Sequence, residues 1–242
     1  MKQSMILAAG LGTRLKPLTD TMPKALVPVA GRPLLDIIIC RLQAQGYSRF
    51  VVNIHHFAQQ IRDHVAQQDY ATQVVFSDET NQLLETGGAL KKAQHMFAAD
   101  APILIHNVDI LDNVDYEWFS AQHQPDVDAL LLVSRRKTSR YLLFDHDMRL
   151  VGWTNVDTGE VKSPYRLSNI GSKYTMLAFS GIHSLSPRLF PLMDTFPDRF
   201  SIIDFYLSIC HRSRIIGLPM DNLRMLDVGK LDTLEQAEKF ML

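Results

Sequence analysis

Two glycines and two cations near the start of the chain make the first chemical claim. The run Leu7-Ala8-Ala9-Gly10-Leu11-Gly12-Thr13-Arg14 leaves an apolar, β-type stretch through Gly10 and Gly12 and reaches Arg14. Glycine opens backbone N–H groups to a ligand because no Cβ stands in the way. Such a loop offers several donors to a triphosphate, and a guanidinium adds a two-pronged fork to phosphate oxygens. Lys24 adds a compact second cation. A purely structural turn is the alternative reading. A dinucleotide loop would need a third glycine where Leu15 stands, and no G-K-[ST] sequence occurs, so the two commonest phosphate-loop classes are excluded.

Carboxylates supply the second half of the argument. In an open α/β sheet ligands collect at the carboxyl ends of strands, and Asn107-Val108-Asp109 follows the apolar run Pro102–Ile105. A hard cation such as Mg²⁺ is held by one or two carboxylates plus substrate phosphates, so a second Asp should converge on Asp109. Asp227, after Leu223–Leu226 and before Gly229, fits that place. Each Asp has an alternative as a helix cap or turn residue, and Asp112, Asp115, Asp221 and Asp232 are assigned there. Glu85-Thr86-Gly87-Gly88-Ala89 opens a helical stretch, and its glycines would let a nucleobase or ribose lie against the backbone; a helix-initiating turn is the other reading. His55-His56 ends a strand with its two rings on opposite faces, a poor metal pair. Ser180 lacks a G-x-S-x-G elbow, so covalent catalysis has no support.

These residues need a frame. The first half alternates β-rich and helical runs: strands at Met5–Ala8, Phe50–Ile54, Gln73–Phe76 and Pro102–Ile105, helices at Leu34–Gln45, Phe57–Gln67 and Gly88–Phe97. This predicts an α/β fold, Rossmann-like, with a mixed, mostly parallel sheet flanked by helices. Beyond Asp128, Ala129–Val133, Tyr141–Phe144 and Leu150–Trp153 follow one another without helices and predict a small antiparallel extension. Thr154–Lys173 is rich in Asp, Gly, Ser, Asn and Pro and reads as a mobile surface loop or hairpin region, a candidate lid. A strand at Thr175–Ile182, helices near Pro187–Leu192 and Ile202–His211, a strand at Arg214–Leu218 and a helix from Leu231 close the chain. One domain over residues 1–242 is expected, with residues 1–125 as nucleotide-binding half and 126–242 as sugar-phosphate half.

Composition narrows the partners. With 242 residues, 46% hydrophobic and 21% charged, the chain can build a sizeable core. A net charge of −1, with basic residues scattered apart from Arg135-Arg136-Lys137, disfavours nucleic acid. Cys40 and Cys210 sit in apolar runs and predict buried thiols and a reducing, cytoplasmic setting. The apolar stretch at the N-terminus is too short for a signal segment, and no run reaches membrane-spanning length.

Leu7 to Arg14, followed by Pro23-Lys24-Ala25-Leu26-Val27, resembles the signature of the sugar-phosphate nucleotidyltransferase family. The resemblance implies that Gly10, Gly12, Thr13 and Arg14 hold the β- and γ-phosphates and Lys24 the α-phosphate, with Leu7, Ala8, Ala9, Glu85, Gly87, Gly88 and Asn107 completing the nucleotide site. It also implies Mg²⁺ on Asp109 and Asp227, which match the family's N-G-D-like and D-x-G-like elements. The chain departs from both: Val108 replaces a small residue, and Lys230 stands where Thr is common. Glu85-Thr86-Gly87-Gly88 resembles the E-T-G-G element of bacterial N-acetylmuramate 1-phosphate uridylyltransferases and lies close to the G-T-A-G of mannose 1-phosphate guanylyltransferases. Ala178-Phe179-Ser180-Gly181-Ile182 resembles the F-S-G-I of both sugar pockets, which implies sugar-phosphate contacts at Glu85, Thr86, Ser180 and Gly181. The implied substrates are a nucleoside triphosphate, UTP first, and a sugar 1-phosphate such as N-acetylmuramate 1-phosphate, in cell-wall nucleotide-sugar synthesis. GTP with mannose 1-phosphate, a cytidylyl transfer, and a non-catalytic nucleotide-sugar sensor are the rivals. Members of the family associate as dimers or larger assemblies, which makes a homodimer the implied state.

Overall fold

Apolar residues at both parities of the early strands call for a sheet covered on both faces, because neighbouring strand residues point to opposite sides. The structure, a computed structural model describing residues 1–241, is built that way. Met5, Val51, Ile103 and Ile105 enter one apolar layer, and Ile6, Val52 and Leu104 the other.

The first half runs through β1 (Lys2–Leu7), a small ribbon of β2 (Pro28–Val29) and β3 (Arg32–Pro33), α1 (Leu34–Ala44), β4 (Tyr47–Ile54), α2 (Ala58–Ala66) and β5 (Gln73–Asp78). It continues with α3 (Glu85–Ala93), β6 (Ile103–Asn107), β7 (Ile110–Asp112) and α4 (Tyr116–Ala121). The second half holds β8 (Ala129–Ser134), β9 (Arg140–Phe144), β10 (Leu150–Asn155), β11 (Glu160–Lys162), α5 (Ile170–Lys173) and β12 (Thr175–Leu185). Then come α6 (Phe190–Met193), α7 (Ile202–Ile209), β13 (Ile215–Pro219), β14 (Met225–Asp227) and α8 (Leu231–Met241).

The main sheet has the order β11-β10-β9-β12-β6-β1-β4-β5, with β8 and β13 branching from β12. Its β6-β1-β4-β5 half is parallel, and β12 joins it antiparallel to β6. Helix α1 covers one layer through Leu34, Leu35, Ile38 and Leu42, while α3 and α7 cover the other through Leu90, Phe205 and Tyr206. The stop expected at Gly46 is real: φ there is +82°, the left-handed geometry that closes helices.

Three expectations change. The helix placed at Gly88–Phe97 begins at Glu85 and gives way to a tight turn at Gln94–Met96. For Thr154–Lys173 the mobile-loop reading gives way to the hairpin one: its first part forms the β10–β11 hairpin and its last part the short α5. Its polar composition left loop and hairpin equally open because an exposed three-residue strand has no apolar face to decide between them. Asp112 is not a turn residue but a buried hub, accepting from Tyr116 Oη at 2.7 Å, the Val114 N–H at 2.8 Å and His106 Nε2 at 3.1 Å, with Arg41 3.1 Å away. Asp115, by contrast, caps α4 as expected, accepting from the Trp118 N–H.

Burial alone would raise the pKa of Asp112. The hydrogen bond and attraction from His106, the Arg41 charge and the Tyr116 hydroxyl outweigh it, so the carboxyl titrates below its usual range. Its contribution to stability is therefore complete above the ordinary carboxylate pKa and is lost as pH falls through the lowered value. Asp112→Ala should cost about 3 kcal/mol in urea unfolding at neutral pH, because Arg41, His106 and Tyr116 lose a shared partner. A loss under about 1 kcal/mol would show the hub to be dispensable.

β12 bends beside Asn107, the last residue of β6. Its pairing with β8 slips between Phe179 and His183, and Gly181 has φ +79° at that bulge. A Cβ on Gly181 would stand 2.7 Å from Asn107 Nδ2. Gly181→Ala should therefore cost about 1–3 kcal/mol from left-handed backbone strain and push the Asn107 amide aside. Unaltered melting together with unaltered catalytic rates would refute that coupling.

Candidate active site

The glycine loop owes its shape to one close approach. Gly12 has φ +63°, and a Cβ there would lie 2.7 Å from Thr19 Cγ2 and 3.1 Å from Lys24 Cβ. Only glycine lets the turn press on Lys24 in that conformation. The Gly12 carbonyl accepts from the Leu15 N–H and the Thr19 hydroxyl, each at 2.8 Å. Gly10 has nothing within 4 Å of its Cβ direction, so its backbone is open to an incoming group. The loop runs into short turns at Thr13–Leu15, Leu18–Asp20 and Lys24–Leu26, not directly into an α-helix. Any anion there is left to the loop's own N–H groups and to cationic side chains.

A buried chain of polar groups fixes the base of the loop. The Ala8 N–H donates to Asn53 Oδ1 at 2.6 Å, and Asn53 Nδ2 donates to Glu79 Oε1 at 2.8 Å. Glu79 Oε2 accepts from the Leu84 N–H, one residue before α3. Burial raises the pKa of Glu79 against the opposing pull of Asn53, Leu84 and Lys92. Sequence reasoning missed Asn53 and Glu79; the available signal was Asn53's place at the carboxyl end of β4.

Two ion pairs face this loop. The Lys24 ammonium, on a residue only 9% exposed, contacts the Asp109 carboxylate directly. Arg14 Nη2 lies 3.8 Å from Asp227 Oδ2, with both side chains half-exposed. A Cβ on Gly229 would sit 2.6 Å from both Arg14 Nη2 and Asp227 Oδ1, so that glycine clears the space between them. Asp109 and Asp227 come from distant stretches but sit on neighbouring rungs of one ladder: β14 pairs Asp227 with Ile110, and the Val228 N–H donates to the Asp109 carbonyl at 2.8 Å. Val108, the first departure from the family pattern, is 2% exposed, and its N–H is bound to the Leu7 carbonyl. Lys230, the second, is exposed just before α8, where its carbonyl accepts from Thr233.

Two cavities share Asn107. One, of about 240 Å³, is lined by Leu7, Ala9, Gly10, Lys24, Glu85, Thr86 and Asp109 among others. The next, of about 300 Å³, is lined by Phe179, Gly181, Asp227 and Arg136, the last a residue that sequence reasoning noted only within a basic run. Not every expected residue faces them. Gly87 and Gly88 are buried with their N–H groups on the Phe200 carbonyl. Cβ atoms there would strike the Phe200 ring at 2.3 Å and the Asp198 carbonyl at 2.0 Å. Their lack of side chains serves packing between α3 and the segment before α7, not contact with a base or ribose. Ser180 does line the second cavity, though its hydroxyl is spent on the Leu132 carbonyl at 2.8 Å. Thr86 Oγ1 accepts from the Ile202 N–H at 3.0 Å, and Glu85 Oε1 from Arg199 Nε at 2.9 Å.

Among the described residues, no three His, Cys, Asp or Glu side chains converge as a metal cluster. The oxygen pair Asp109 and Asp227 suits a hard ion that completes its shell with water and phosphate oxygens, as Mg²⁺ does, and does not suit a closed zinc site.

The chain has relatives among known proteins in both sequence and fold. The nucleotidyl transferase family profile matches residues 3–163. An N-acetylmuramate alpha-1-phosphate uridylyltransferase of Caulobacter vibrioides is 31% identical over 236 residues, covering 93% of this chain and 90% of the relative. A mannose-1-phosphate guanyltransferase of Kluyveromyces lactis is 26% identical over 81% of this chain and 53% of its own length. The crystal structure of HddC from Yersinia pseudotuberculosis complexed with GMP-PN superposes with TM-score 0.77 at 25% identity, covering 100% of both chains. The chain belongs to the nucleotidyl transferase family.

Proposed function

We propose that the chain joins UTP to N-acetylmuramate 1-phosphate, releasing pyrophosphate and forming a UDP-sugar, with Mg²⁺ held by Asp109 and Asp227. The observation that carries the reading is the buried Lys24–Asp109 pair at the mouth of the glycine loop, beside Asp227. In this reading residues 1–125 take the nucleotide and residues 126–242 the acceptor. The relative's name and its coverage of both chains favour uridylyl transfer to that acceptor. No helix among the described residues is long and apolar enough to cross a membrane, and the reading places the reaction in the cytoplasm.

The reaction is an in-line displacement. A sugar 1-phosphate oxygen forms a bond to the α-phosphorus, and the bond from that phosphorus to the β-bridging oxygen breaks. A phosphate monoester, with a second pKa of about 6, is already ionised near neutrality, so no general base is required. What remains is positioning and charge neutralisation. Lys24 neutralises the α-phosphate, while Arg14 and the open N–H groups around Gly10 take the charge that builds on pyrophosphate. Gly181 and Asn107 shape the acceptor side. Bound Mg²⁺ supplies further neutralisation of the phosphate oxygens. Guanylyl transfer to mannose 1-phosphate is the second reading, favoured by the GMP-PN complex and the guanyltransferase relative.

A panel of UTP, GTP, CTP and dTTP against several sugar 1-phosphates, read by pyrophosphate release, decides between them. UTP with N-acetylmuramate 1-phosphate should give the highest kcat/KM. Release with no pair would leave only a nucleotide-sugar sensor. Asp109→Asn should lower kcat by about 10²–10³-fold in the folded enzyme, and EDTA should abolish turnover until Mg²⁺ is restored. Wild-type rates in that variant, or in EDTA, would sink the metal assignment.

A further inference from the structure

A third cavity, of about 530 Å³, opens beyond the acceptor side, and Arg136 and Phe179 line both spaces. Its volume lies within the ~300–1,000 Å³ range of small-molecule sites. Arg136 is fixed at the junction by donating to the Phe179 carbonyl at 3.0 Å. The far wall is one face of the β9–β10–β11 ribbon. The register sets Arg140, Asn155 and Glu160 in one cross-strand row and Leu142, Trp153 and Lys162 in the next. All six line the cavity.

The charges there are not balanced. Lys162 Nζ lies 3.3 Å from Asp204 Oδ1 and 3.9 Å from Glu160 Oε1, and 5.4 Å above the Trp153 ring. Both acids of the cavity are thereby taken by one lysine. Arg140 has no carboxylate partner within 4.0 Å among the described residues, nor has Arg136. A lone guanidinium on the wall of a concave site, beside an aromatic face, is matched to an anion on a ring-sized ligand.

We infer that this cavity reads the acceptor's distal end and that Arg140 receives a second anionic group, carboxylate or phosphate, carried by the sugar away from its 1-phosphate. The inference rests on the transfer reading above. A 1-phosphate seated beside Asp227 and Arg136 directs the rest of the sugar past Phe179 toward Arg140. The Trp153 ring is then available to the apolar face of the sugar, and Asn155 to its hydroxyl or amide groups.

The test compares matched acceptors. N-acetylmuramate 1-phosphate is set against N-acetylglucosamine 1-phosphate, which lacks the carboxylate, and glucose 1,6-bisphosphate against glucose 1-phosphate. The wild-type chain should prefer the anionic member of at least one pair in kcat/KM, and the responding pair identifies the group. In Arg140→Gln, checked for unchanged melting, that preference should fall about tenfold or more, with partial recovery in Arg140→Lys. Equal use of both members, or a preference indifferent to Arg140→Gln, overturns the inference while leaving nucleotidyl transfer intact. If no pair releases pyrophosphate, the transfer reading fails, and calorimetry of the same acceptors without triphosphate still decides. Weaker binding of the anionic member to Arg140→Gln supports the pocket, and equal binding removes it.

Discussion

Lys24 and Asp109 hold each other in a place largely closed to water, and much of the site is arranged to keep them there. A buried charge is costly unless it is paired. Gly12 presses the loop onto the Lys24 stem, and main-chain bonds from Val108 to Leu7 and from Val228 to Asp109 anchor the carboxylate from two sides. The pair therefore has a consequence for ligand binding. A phosphate oxygen that reaches Lys24 competes with Asp109 for the same ammonium, and each gain at the lysine frees the carboxylate for a cation. Arg14 and Asp227 repeat the arrangement in a more exposed form. In the proposed reaction anion and cation would then enter the site as linked events, each releasing a partner for the other.

The opposite wall is held by packing. Gly87 and Gly88 bring α3 against the Phe200 segment so closely that a single Cβ would strike the Asp198 carbonyl. At the head of that helix Glu85 adopts φ +62°, a geometry an L-residue holds only when its surroundings fix it. They do: its carboxylate is tied to Arg199, and the preceding Leu84 N–H is tied to Glu79. Glu79 reaches through Asn53 to Ala8, so one buried carboxylate ties both walls of the first cavity together.

The parallel half was legible because its strands carry apolar residues at both parities and its helices end at recognisable stops such as Gly46. The charged residues Arg14, Lys24, Asp109 and Asp227 were picked out differently, by their places beside the glycine loop and after strand runs and by the family resemblance. Gly87 and Gly88 misled because a motif reports which residues recur but not whether backbone or ligand fills the space beside them. Asn53, Glu79 and Asp112 stayed hidden because a polar residue in a strand or turn looks the same whether it faces water or anchors a buried network. The β10–β11 hairpin was legible only as one of two alternatives, since Glu160, Val161 and Lys162 are all exposed and show no periodic apolar signal.

That hairpin has a bearing on how one fold serves many acceptors. The phosphate chemistry depends on groups at the centre of the sheet, where β1, β6 and β12 are locked by neighbours on both sides and a shift in one would move all. The β9–β10–β11 ribbon joins the main sheet through β12 and leans on α7 and β13 through β10. Of the side chains on its cavity face Leu142 belongs to the core, whereas Arg140, Asn155, Glu160 and Lys162 do not, so these four can change without disturbing Lys24 or Asp109. A wall that is rigid in backbone yet replaceable in side chains is suited to selection among sugars, while the locked centre is suited to the one step that all such reactions share.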